Sequence, residues 1–107
     1  MPNRLNAIFK AIADPTRREI FHLLVFASAT MSITQIAAHF DITRQGVTKH
    51  IRLLKDAGLI DMSKNGRERY CQANIQPLKS IQEWVNYYEE FWDDRLKGLG
   101  EYLNKKK

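Results

Sequence analysis

The stretch from Ser32 to Gln72 leaves the chain little choice of fold. Ser32-Ile33-Thr34-Gln35 has the form of a capping box, in which the serine hydroxyl and the glutamine side chain each satisfy a backbone N–H at a helix start. The short helix it opens turns Ile33, Ile36, Ala37 and Phe40 inward. Asp41-Ile42 makes a tight turn, Thr43 caps a second helix, and Val47, Ile51 and Leu54 recur at i, i+4 and i+7 as one apolar stripe. Gly58 is placed to end that helix in a left-handed conformation. Two runs, 59–63 and 68–72, then flank Lys64-Asn65-Gly66-Arg67. An Asn-Gly pair between extended runs predicts a hairpin with a type I′ turn, which needs positive φ at both central residues.

The flanks read as helices. Leu5, Ile8, Phe9 and Ile12 fall at helical spacing, giving a first helix over 3–13. Asp14 then caps a second helix and Pro15 takes its first position. Ile20, Leu23, Leu24 and Val25 form its buried side, and it fades into Ala27-Ser28-Ala29-Thr30. After Pro77 a long last helix carries Ile81, Trp84, Val85, Tyr88, Phe91, Trp92, Leu96, Leu99, Tyr102 and Leu103, more aromatic surface than a 107-residue monomer covers. The order is that of a mainly α winged helix-turn-helix with a small β-hairpin wing and a long C-terminal dimerisation helix. The chain reads as a single domain over 1–107: N-terminal helices at 3–31, helix-turn-helix at 32–58, wing at 59–72 and dimerisation helix at 77–104.

Charge locates the function. The formal net charge is +5. From Thr43 to Arg69 seven cations stand against three acids, whereas from Gln76 onward six stand against six. With Val47, Ile51 and Leu54 turned inward, the helix shows Arg44, Gln45, Thr48, Lys49 and Arg52 outward. These side chains suit the major groove: Gln pairs with adenine, Lys and Arg with guanine acceptors, and Thr meets a thymine methyl. The Thr43 hydroxyl and the N–H groups of the helix start can meet a phosphate. Lys64, Arg67 and Arg69 at the hairpin reach phosphates or the minor groove beside it, so double-stranded DNA is the expected partner. Gly46 sits in the first turn, where the lack of a side chain lets backbone approach DNA or the preceding helix.

Longer motifs point the same way. Phe9-Lys10-Ala11-Ile12-Ala13-Asp14-Pro15-Thr16-Arg17-Arg18-Glu19-Ile20 resembles the signature of ArsR-type (ArsR/SmtB) bacterial transcriptional repressors. Ile36–Phe40, Val47-Thr48-Lys49-His50-Ile51, Leu54–Ile60 and Gly66-Arg67-Glu68-Arg69-Tyr70 continue the likeness, and Tyr88–Leu96 resembles a subgroup of that family. The resemblance implies a homodimeric repressor on operator DNA, dimerising through its first and last helices, with His50 near phosphate. Leu5, Ile8 and Phe9 are then expected to pack beside Trp84, Tyr88, Phe91, Trp92 and Leu99 at the subunit interface. Autoregulation alongside a neighbouring gene is what the subgroup resemblance implies.

Several other chemistries lack their residues. The metal-sensing members of the family carry a Cys-x-Cys pair in the third helix, where this chain has Met31–Ile36, and no histidine follows His50. A soft divalent metal needs about four converging N or S ligands, and Cys71, His22, His39 and His50 are scattered over four elements. No metal and no cofactor is therefore expected. Cys71 reads as a half-buried strand residue, His22 as a core-edge histidine and His39 as an exposed helix end. Glu89, Glu90, Asp93 and Asp94 read as a solvated face, and Arg17 and Arg18 as partners of nearby acids. There is no nucleophile–base pair or phosphate loop, so no enzyme is expected. The apolar run 20–29 is about half a membrane span. One cysteine and no signal-peptide core fit a soluble cytoplasmic chain. Two rival readings stay open: a ligand- or metal-responsive repressor with its effector site at the dimer helices, as a pocket lined by Trp84, Tyr88 and Trp92 would favour, or a winged-helix module that binds protein.

Overall fold

Side-chain caps set where the helices begin. The computed structural model describes residues 3–105, without the side chains of Asn3, Asp93, Asn104 and Lys105. Its elements are α1 (Asn3–Ile12), α2 (Pro15–Ala27), β1 (Met31–Ser32), α3 (Ile33–Ala37), α4 (Arg44–Asp56), β2 (Ile60–Asn65), β3 (Glu68–Ala73) and α5 (Leu78–Lys105). Asp14 caps α2 by accepting the Arg17 N–H at 3.0 Å, with Pro15 at the first position. At α3 both halves of the capping box are made: Gln35 N–H to Ser32 Oγ at 3.0 Å, and Ser32 N–H to Gln35 Oε1 at 2.9 Å.

The joint between α1 and α2 is tied by arginine rather than by ion pairs. Arg17 donates from Nε to Ala11 O at 2.7 Å and from Nη2 to Lys10 O at 3.2 Å. Arg18 donates from Nη1 to Ile12 O at 2.6 Å and Ala13 O at 3.2 Å. The acid partners expected for these arginines give way to carbonyls that the end of α1 leaves without helical donors. On α2, Ile20 and Leu24 are buried. His22 lies instead on the solvent side, its ring 4.4 Å from that of exposed Phe26 one turn on. The i, i+4 relation to Phe26 carries it off the core edge where the sequence suggested it.

The core collects one to three apolar residues from most elements: Ile8, Ile20, Leu24, Ile33, Ile36, Val47, Ile51, Leu54, Leu59, Ile60 and Cys71. Each such aliphatic side chain contributes roughly 1.5–3 kcal/mol on burial. Cys71 is fully buried, more than its strand position suggested, and desolvation raises its thiol pKa to about 11. The sheet has the order β1-β3-β2, with β3 antiparallel to both neighbours. β1 was not foreseen; it pairs Met31 with Cys71 and Ser32 with Tyr70, and so ties the start of α3 to the wing.

The hairpin turn differs from expectation by one residue. Asn65 pairs with Glu68, so the loop is Gly66-Arg67. Gly66 has φ 67°, and Ser28 is the non-glycine with positive φ among the described residues. That is a type II′ pattern, glycine first, and not the type I′ turn on Asn65-Gly66. Beyond Pro77 the chain leaves the core along α5, whose 28 residues span roughly 42 Å. The molecule measures 70 × 28 × 22 Å, and its radius of gyration of 19.4 Å exceeds the roughly 13 Å of a compact chain this size.

Candidate nucleic-acid interface

α4 is seated by its apolar stripe. Val47, Ile51 and Leu54 are buried, and the helix packs on α1, α2, α3 and β2. Its opposite face is therefore held to solvent: Arg44, Gln45, Lys49 and Arg52 are exposed and Thr48 is half-buried. Thr43 Oγ1 accepts the Gly46 N–H at 3.0 Å and fixes the first turn. A Cβ at Gly46 would stand 3.3 Å from that same oxygen and 4.0 Å from Ile42. The glycine is thus constrained by the cap and the turn, and not by the body of α3.

The hydroxyl of Thr48 donates to Arg44 O at 2.9 Å, which leaves its methyl group and an acceptor lone pair for a ligand. Thr43, Arg44, Gln45 and Thr48 line an open groove whose other wall is Arg67 and Arg69 of the wing. A second groove, on the far side of Arg69, is lined by Thr48, Arg52, Lys55, Asp56 and Met62. Lys64 joins Lys55 and Arg69 in a third depression beside it. Arg44, Arg52, Lys64, Arg67 and Arg69 thus line neighbouring depressions, while Lys49 is exposed on α4 outside them. Lys64 and Arg69 face each other across the hairpin, a like-charge pairing that is unfavourable in itself. Sequence reasoning missed Glu68. Its Oε2 lies 3.9 Å from Arg44 Nη2, shielded from solvent and without a hydrogen-bond partner. The visible signal was an acid enclosed between Arg67 and Arg69.

His50 packs beside the α1–α2 joint. Its ring is half-buried against α2, with Nδ1 3.3 Å from Arg17 Nη1. A guanidinium only donates, so Nδ1 accepts in that contact. Asp14 Oδ2 stands 3.9 Å from the same nitrogen. The Arg17 N–H bond to Asp14, opposed by desolvation and aided by the charge of Arg17, holds that carboxyl below its ordinary value. His50 thereby braces the middle of α4 against the α1–α2 joint.

The expected interface residues divide into two sets. Leu5 and Ile8 are buried within the protomer, so they support the surface rather than form it. Phe9 packs edge-on against Trp84 at 5.2 Å, and Trp84 against Tyr88 at 5.3 Å. Beyond them Tyr88, Phe91, Trp92 and Leu99 are between 51% and 65% exposed on α5. Glu89, Glu90 and Asp94 are exposed, while the Asp93 side chain and the charges of Lys106 and Lys107 lie outside the described residues. Among the described residues no three His, Cys, Asp or Glu side chains converge as a metal-holding group. No helix there is long and apolar enough to cross a membrane.

Known proteins are similar to this chain in sequence and fold. Residues 12–63 match the model of a helix-turn-helix domain family. The transcriptional repressor SdpR of Bacillus subtilis is 36% identical over 81 residues, spanning 76% of this chain and 88% of the relative. A crystal structure of an ArsR family transcriptional regulator superposes with TM-score 0.78 at 34% identity, over 87% of this chain and 94% of that one. An ArsR-like transcriptional regulator from Rhodococcus sp. RHA1 follows with TM-score 0.74 at 30% identity, over 91% and 90%. By sequence and fold, the chain belongs to the ArsR family of winged helix-turn-helix transcriptional regulators.

Proposed function

We propose that this DNA-binding regulator represses transcription as a homodimer on an inverted-repeat operator, probing successive major grooves with its two copies of α4. The observation that carries the reading is the exposed polar face of α4 running into the groove it shares with the wing. Arg44, Gln45, Thr48, Lys49 and Arg52 read bases. Thr43 and the wing residues Lys64, Arg67 and Arg69 hold phosphate or the minor groove. Two recognition helices then sit about 34 Å apart, one helical turn of DNA. The dimer covers the apolar face of α5 around Tyr88, Phe91, Trp92 and Leu99, with Phe9 and Trp84 at its base. Operator binding and its release are set by protein and DNA without a resident metal, and the regulator acts on its own promoter.

The test is a mobility shift on the chain's own promoter region at low salt. Wild type shifts the fragment as one dimeric species, and Gln45→Ala with Lys49→Ala abolishes the shift while the protein stays folded. A missing wild-type shift, or an unaffected double variant, sinks the proposal. An effector-responsive regulator is the second reading. It is favoured by Trp84, whose Nε1 is shielded yet unpaired beside Phe9 and Tyr88. A ligand bound there shifts Trp fluorescence and lowers operator affinity together.

A further inference from the structure

Glu68 sets an acid against the cation that opens α4, and we infer that it is a specificity-determining residue, holding Arg44 back from DNA that lacks the operator sequence. The inference rests on the reading of α4 as the DNA-contacting helix. Three observations support it. Arg44 is the first residue of α4 and lines the groove with Arg67 and Arg69. Glu68 stands between those two arginines in β3, and its Oε2 lies 3.9 Å from Arg44 Nη2. That oxygen is shielded from solvent and accepts no hydrogen bond, so Arg44 is the cation placed to compensate it. The other acids of this segment lie elsewhere: Asp56 ends α4, and Asp61 is near the start of β2, opposite Gln72.

The consequence follows from competition for one guanidinium. Any duplex offers phosphates, and every arginine that moves onto a phosphate releases counterions. An Arg44 kept on Glu68 gives no such gain, and moving it leaves a shielded carboxylate oxygen uncompensated. A guanine at the right position offers more than a phosphate, because O6 and N7 take the guanidinium in a bidentate pair. Arg44 leaves Glu68 for that base and stays for the rest. The side chains of the pair are 58% and 40% exposed, and an exposed pair is weak. Weakness suits the task, since a tight pair would hold Arg44 from the operator as well.

The experiment compares wild type with Glu68→Gln, Glu68→Asp, Arg44→Ala and Arg44→Ala/Glu68→Gln on two probes. One is the duplex that wild type enriches from a random-sequence library, and the other is a scrambled duplex of equal length. Thermal unfolding confirms that each variant folds. With Glu68→Gln the scrambled duplex binds about tenfold or more tightly at 0.1 M salt, its log–log salt slope steepening by about 0.9 per freed arginine. The enriched duplex changes by less than about threefold, so discrimination falls. Glu68→Asp keeps the charge but draws it back from Arg44, and it steepens the slope in the same direction. In the Arg44→Ala background the Glu68 substitution leaves the slope alone. The inference is overturned if Glu68→Gln leaves scrambled-duplex binding unchanged. It is equally overturned if the gain persists without Arg44, which would make Glu68 a plain repulsive charge. Failure of wild type to enrich any duplex refutes the α4 reading itself, and the inference with it.

Discussion

Replacing Gly46 by alanine sets two effects of similar size against each other, and the geometry decides the sum. Glycine costs a helix about 1 kcal/mol relative to alanine, so the substitution alone should stabilise α4. The new Cβ, however, stands 3.3 Å from Thr43 Oγ1, the oxygen that accepts the Gly46 N–H at 3.0 Å. That oxygen has to retreat by a few tenths of an ångström and weakens a cap worth about 1 kcal/mol. Gly46→Ala is therefore expected to lie within about 0.5 kcal/mol of neutral, the difference of those two magnitudes. Thr43→Ala costs about 1 kcal/mol and removes the obstructing oxygen. In that background Gly46→Ala should stabilise by nearly its full propensity, about 1 kcal/mol, or roughly 4–8 °C in midpoint. Urea unfolding followed by circular dichroism, at one fixed protomer concentration, measures all four proteins. The reasoning fails if Gly46→Ala gives the same change with and without the Thr43 hydroxyl, since no coupling would then exist between them.

Four further outcomes follow from the core, the α1–α2 joint, the buried thiol and the exposed helix face. Leu54→Ala, at a fully buried position of α4, should cost about 2–5 kcal/mol in urea unfolding. Asp14 has a depressed carboxyl pKa in the folded protein, so its contribution is present above the unfolded value and lost as pH falls through the folded one. Asp14→Asn should flatten the decline in thermal midpoint below about pH 4. Cys71, with its pKa raised to about 11 by burial, should react with a thiol reagent at pH 8 only as fast as the protein opens, and rapidly in denaturant. Phe91→Asp should lower the mass measured by light scattering toward one protomer and weaken operator binding in parallel. Its equal mass with wild type would remove α5 from the interface.

Local features were legible and pairings at a distance were not. Asp14, Ser32 and Thr43 each cap within three residues, so the chemistry that ends the helix is written beside it. The stripe Val47, Ile51, Leu54 likewise needs only helical periodicity, and it fixes which side of α4 meets solvent. β1 has two residues and exists because β3 lies beside it; nothing within Met31-Ser32 announces a strand. The turn slipped for a related reason. Glycine serves Asn65-Gly66 as type I′ and Gly66-Arg67 as type II′, so the loop alone does not choose. Register chooses: the observed pairing sets Met62 against buried Cys71, whereas a turn on Asn65-Gly66 would set Met62 against Arg69. Glu68 was passed over because its partner is 24 positions away on another element.

The cation surface also explains why the wing and α4 are joined so firmly to the core. Lys64 lies opposite Arg69 in the hairpin, and Arg69 borders both grooves beside α4. Like charges so placed repel. The stability has to come from beneath: Leu59 and Ile60 bury the root of β2, Cys71 the middle of β3, and Val47, Ile51 and Leu54 the underside of α4. Ser32 does two jobs there, capping α3 and pairing with Tyr70, so that the start of α3 is tied to the wing. A surface that repels itself in the free protein is the surface that gains most when phosphates replace its counterions. The same physics makes it indiscriminate, because every duplex carries phosphates. An acid beside Arg44 supplies the opposing tendency at the N-terminal end of α4, where that helix faces the wing.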